Sequence, residues 1–125
     1  MNKICTDVSQ SKKLLELGLD VNTADFHWFN NILMLSFDKV AKAHYDKTEY
    51  EYIPAWSLST LLELMPKIHS ERPKLDTGRI QTDKYYVEYP YHERTKKDWH
   101  STELYDEPLD AAFEMVCWLK ENNKL

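Results

Sequence analysis

The hydrophobic period of this chain changes from helical to pleated and back to helical, and that order limits its folds more than any other feature. In IPAWSLSTLLELMP, Leu58, Leu61, Leu62 and Met65 fall on one stripe of a helical repeat, and Pro66 stops its propagation. In EPLDAAFEMVCWLKENN, Leu109, Ala112, Phe113, Val116 and Leu119 or Lys120 repeat the pattern behind an Asp106 cap, with Pro108 suited to the first turn. Between the two, Lys67 to Tyr105 is charged and strand-like: Tyr85, Val87 and Tyr89 alternate with Tyr86, Glu88 and Pro90. Asp76-Thr77-Gly78 reads as the turn between the first two strands of that region. Pro90 predicts an edge strand, because it has no N–H to give a ladder.

Upstream, a short helix is expected from about Ser9 to Leu17, with Ser9 or Ser11 as its cap and Gly18 as its left-handed exit. Leu19 then folds back on Leu14. DVNTAD is a turn, and FHWFNNILMLSF splits at Asn30-Asn31 into strands over about Asp25 to Phe29 and Ile32 to Asp38. KVAKAHYDKTEYEY fits no single period and is read as a connection. Ser57 is the natural cap of the second helix, with Trp56 and Leu61 spaced as a hydrophobic staple; Thr60 and Glu63 also match a capping box, so its start extends as late as Leu61. The fold class expected is α+β: a mainly antiparallel twisted sheet of about five strands, three helices, and the C-terminal helix packed on the sheet, in a single domain over 1–125.

Composition removes several functions. The chain has 125 residues, enough to bury roughly two thirds of its unfolded surface without a staple. Cys5 and Cys117 lie near opposite ends and read as reduced structural thiols; burial of Cys117 in the last helix would raise its pKa and suppress a thiolate. MNKICTDVSQSKK lacks the apolar run of a signal peptide, and no stretch approaches the roughly 20 apolar residues of a membrane span, so a cytoplasmic protein is expected. A net charge of −5 argues against non-specific binding to nucleic acid. Two glycines, Gly18 and Gly78, in different halves of the chain cannot build a phosphate-cradling loop, so no such cofactor is expected. His27, His44, His69, His92 and His100 show no metal-ligand spacing, and the 21 acidic residues supply carboxylate pairs by chance alone.

The candidate site is the aromatic and basic part of the strand region. Arg72, Arg79 and Arg94, with Lys74, Lys84, Lys96 and Lys97, are interleaved with Tyr85, Tyr86, Tyr89, Tyr91 and Trp99. Cations beside aromatic faces would stack a base and neutralise a phosphate. The plain alternative is a solvated sheet face whose charges protect an edge.

SKKLLELGLDVNTADF, IPAWSLSTLLELMP and EPLDAAFEMVCWLKENN resemble a family of small uncharacterised proteins of bacteriophages, prophages and gut Bacteroidetes-like genomes. The words PAWSLS, LLELMP and LDAAFEMVCWL carry the resemblance; residues 69–100 are the most individual part of the chain. The resemblance implies a small α+β fold and a mobile-element origin, and brings no catalytic residue, cofactor or substrate with it. By analogy with phage proteins that sequester nucleotide signals or block host enzymes, the expected function is non-catalytic binding of a host protein or a small nucleotide. The alternatives are a small hydrolase with a discontinuous site and a structural or regulatory subunit of a homo-oligomer.

Overall fold

A computed structural model describes residues 3–35, 52–66, 74–77, 84–93 and 96–125, with the backbone alone for 74–77, 90–93 and 96–99. The first helix, α1, spans Val8–Glu16 and is capped by Asp7, not by the serines that the sequence suggested. Asp7 Oδ1 accepts from the Gln10 amide at 2.7 Å while the Asp7 amide donates to Gln10 Oε1 at 3.1 Å, a reciprocal capping box. A carboxylate there also complements the positive end of the helix. Ser11 is instead fully buried and shares a 2.8 Å hydroxyl hydrogen bond with Thr6. The exit is as expected: Gly18 has φ +88, Leu19 N donates to Leu14 O at 3.0 Å, and both leucines enter the core.

Helix α2 spans Leu58–Leu64 behind Ser57, whose Oγ accepts from the Thr60 amide at 3.3 Å. The cap is itself fixed from a distance, because Ser57 N and Oγ donate to the two carboxylate oxygens of Asp25 at 2.8 and 2.5 Å. Trp56 and Leu61, the staple pair, are both fully buried. Helix α3 spans Pro108–Glu121, and its cap position is Glu107 rather than Asp106. Asp106 turns outward to Lys84 Nζ at 2.9 Å, while Glu107 Oε2 accepts from the Lys3 amide at 2.9 Å. The buried face of α3 is wider than a single stripe, taking in Ala111, Met115 and Cys117, because the helix packs on both the strand region and α2.

Six strands are described, all antiparallel: β1 Phe26–Phe29, β2 Ile32–Leu35, β3 Tyr52–Ala55, β4 Lys74–Thr77, β5 Tyr85–Glu93 and β6 Lys96–Ser101. The α+β class and the C-terminal helix against the sheet are as the sequence indicated, with the strands divided into two three-stranded sheets, β2-β1-β3 and β4-β5-β6. The β1–β2 hairpin turns at Asn30 and Asn31, with φ 49 and 64, the left-handed pair that a two-residue turn demands. Residues 36–38 of the expected second strand, and 39–51 of the expected connection, lie outside the described residues.

Strand β3 combines Tyr52, the last residue of the expected connection, with the three residues 53–55, for which the sequence predicts no element of their own. Its four residues are almost continuously buried, so they carry no alternation, and Pro54 argues against an inner strand. It is in fact an outer strand, where a missing N–H costs little. Thr6 extends it: Thr6 N donates to Trp56 O at 2.9 Å, Trp56 N to Thr6 Oγ1 at 3.1 Å, and Trp28 Nε1 to Thr6 O at 3.0 Å. One fully buried threonine thus ties the start of α1 to two strands of the first sheet.

In the second sheet, Asp76 and Thr77 are strand residues opposite Tyr86 and Tyr85, not a turn; Gly78 lies outside the described residues. Pro90 lies in the middle strand rather than in an edge strand. The described pairing of β4 ends at Glu88, whereas β6 runs opposite Glu88 to Glu93, so at Pro90 the described partner is on one side only. Beyond β6 the pairing continues through Thr102, which bonds Val87 by amide and hydroxyl, and through the Tyr85–Tyr105 bridge at 2.7 and 2.8 Å. Leu14, Trp56, Leu61, Val87, Tyr89, Leu109, Met115, Val116 and Leu119 form one core between the helices and β5. No described helix is long and apolar enough to cross a membrane.

Candidate binding cleft

The residues singled out in the strand region are not gathered into one site by the described structure. Arg72, Arg79 and Arg94 lie outside the described residues. Tyr91 and Trp99 are placed by backbone alone, opposite Asp98 and Pro90. Tyr85 and Tyr86 are half-buried neighbours on β5 and therefore face opposite sides of the sheet. Tyr89 is a correction: it is 1% exposed, and its hydroxyl donates to Pro66 O at 3.0 Å. Two residues from the fully buried Val87, it shares the core face, and a polar tip with an internal acceptor lets a tyrosine stay there.

A different set of side chains converges where α1 faces α3. Asp110, Phe113, Glu114 and Cys117 stand at helical spacing along one side of α3, Gln10 and Lys13 along α1, and Lys3 and Tyr105 close the ends. Together they line a cavity of about 430 Å³, within the usual range of small-molecule sites. Its polar groups are held by one another. Asp110 Oδ1 accepts from Lys3 Nζ and from Gln10 Nε2, each at 2.8 Å, and Lys3 Nζ also reaches Asp7 Oδ2 at 3.4 Å. Glu114 Oε2 accepts from the Glu103 amide at 3.1 Å, and the Tyr105 hydroxyl also bonds the Glu114 carboxylate.

The sequence held one clue to this cleft. Asp110 and Glu114 interrupt the apolar repeat of α3 on the side of Phe113, but an acidic residue in a first turn is explained equally well by the helix dipole. The partners Lys3 and Gln10 are more than 90 residues away, which no local pattern encodes.

Burial, with help from Glu121 and Glu114 and against the pull of Lys13, pushes the Cys117 thiol up to about 11. Cys5 also reaches about 11 through burial and the nearby Asp25 and Asp7. Both thiols are therefore protonated near neutrality and poor nucleophiles. Burial draws the Lys3 ammonium down, but hydrogen bonding and charge from Asp110 and Asp7 outweigh it, so it stays charged. Burial, then Glu114, raises the Tyr105 hydroxyl. Behind the cleft, His100 stacks on Trp118 with centroids 3.8 Å apart and planes 7° from parallel; burial lowers its pKa, against an opposing pull from Glu114.

Among the described residues no three His, Cys, Asp or Glu side chains are placed to share a metal ion. The arrangement can offer a ligand fixed acceptors, an ammonium and an apolar floor. Comparison with protein-family profiles, curated proteins and solved structures gives no match, so function is argued from this geometry.

Proposed function

We propose that this chain is a non-catalytic, cytoplasmic binding protein of phage or prophage origin that holds a small ligand in the cleft between α1 and α3. The observation that carries the reading is that the polar groups of the cleft are already positioned by their neighbours, with Asp110 fixed by two donors and Glu114 by two more. Preorganisation of this kind lowers the ordering cost of binding. The protonated state of both thiols supports binding over covalent chemistry. The origin rests on the resemblance of the PAWSLS, LLELMP and LDAAFEMVCWL words.

A second reading places a small nucleotide or a host protein on one face of the β4–β6 sheet, where one of the half-buried Tyr85 and Tyr86 rings would offer an aromatic surface. A thermal-shift screen with nucleotides, amino acids, amines and organic acids, run beside capture from host lysate, separates the two. The cleft reading expects a small ligand that raises Tm, is recovered chemically unchanged, and loses its effect in Lys13→Met. Stabilisation that survives Lys13→Met moves the site to the sheet. Turnover of the ligand would favour the hydrolase alternative, and absence of both ligand and partner would refute binding.

A further inference from the structure

The charges lining the cleft are compensated unevenly. Lys3 is committed to Asp110 and Asp7. Lys13 lines the same cavity from α1 and has no ion pair with another described residue. Glu114 lines it from α3, and its described hydrogen-bond partners, the Glu103 amide and the Tyr105 hydroxyl, are both neutral. Among the described residues, one positive group and one negative group without an ion-pair partner therefore face a shared space from opposite walls. Both reach the Cys117 thiol with opposite sign, beside a larger contribution from Glu121, which does not line the cavity. The half-buried Phe113 ring and the buried Cys117 supply the apolar surface between them.

That pattern selects by charge. A nucleotide or other anion would bring its charge against Glu114 and Asp110, and a simple amine would leave Lys13 without a counter-charge while adding a second cation beside it. A molecule carrying both signs satisfies both walls at once. Resting on the reading of this cleft as the binding site, we propose that it takes a free α-amino acid with an apolar side chain. The ligand carboxylate meets Lys13 Nζ, its ammonium meets the Glu114 carboxylate, and its side chain lies against Phe113 and Cys117. The cavity of about 430 Å³ accommodates a leucine- or phenylalanine-sized molecule.

Calorimetric titration of the full chain with L-leucine and L-phenylalanine tests this, against phenethylamine, which lacks the carboxylate, and hydrocinnamate, which lacks the ammonium. The amino acids should bind at one site, and each one-charge analogue about tenfold more weakly or worse, as expected for loss of one charged hydrogen bond. Lys13→Met should erase the preference for phenylalanine over phenethylamine. Glu114→Gln, which still accepts from Glu103 and Tyr105, should erase the preference over hydrocinnamate. Lys13 is exposed, so its variant folds and decides the matter even if Glu114→Gln does not. Equal binding of the one-charge analogues would overturn the proposal. So would silence from both amino acids at roughly 10 mM, well above a millimolar Kd. If another ligand is then found whose binding Lys13→Met weakens, the cleft reading stands and the amino-acid assignment falls; if no ligand of any class binds, both fall.

Discussion

Tyr89 shows what a single residue discloses and what it conceals. An aromatic ring with a polar tip serves equally as a stacking platform and as a core residue, and only the Pro66 carbonyl beside its hydroxyl decides for the core. Tyr89→Phe should cost about 1 kcal/mol in urea unfolding and leave ligand binding unchanged; a loss of binding at constant stability would return Tyr89 to a site. His100 makes a second residue-level prediction. Above its ordinary value of 6.5 the ring is neutral in both folded and unfolded chains. As pH falls below that value the unfolded ring takes a proton that the folded ring, stacked on Trp118 and lowered by burial, resists, so stability falls with pH through that range. His100→Phe should keep the stack and flatten this part of the stability-against-pH curve; an unchanged slope would show that the ring is not responsible.

At the scale of elements, the features that the sequence foretold were those whose cause lies within a few residues. Ser57, the Asn30-Asn31 turn and the Gly18 exit were all readable because each acts locally, Ser57 on the Thr60 amide and the other three residues through their own left-handed φ. Glu107 in place of Asp106 escaped because Asp106 is drawn to Lys84, 22 residues away, and Asp7 in place of Ser9 or Ser11 because three residues able to cap stand close together and Ser11 bonds Thr6 instead. Strand β3 escaped because a short buried strand has neither period. The cleft was the least legible part, since Lys3 and Gln10 join Asp110 only once the helices dock. Gly18 allows a clean measurement at this scale: at φ +88 an added Cβ meets no atom within 4 Å. Gly18→Ala should therefore lose only the backbone strain of the left-handed conformation, about 1 kcal/mol, seen as a lower midpoint with an unchanged m-value. A loss well beyond 2 kcal/mol would point to packing that this exit does not show.

For the molecule as a whole, α3 is the element on which the rest depends. It contributes Leu109, Met115, Val116 and Leu119, each fully buried, and it packs on β5 and on α2. Single core leucine truncations in proteins cost about 2–5 kcal/mol, comparable to much of a small domain's stability. A chain ending at residue 107 should show no cooperative melting by circular dichroism; a sharp transition would mean that the first sheet and α1 fold without it. The placement of the cleft adds a further consequence. Its walls are Lys3, Gln10 and Lys13 on one side and residues 105 to 117 on the other, so about a hundred residues of chain separate the two in sequence, as the span from Gln10 to Asp110 shows. The cleft therefore exists only once α3 has docked on α1, and separating the two helices would dismantle it even with each helix intact.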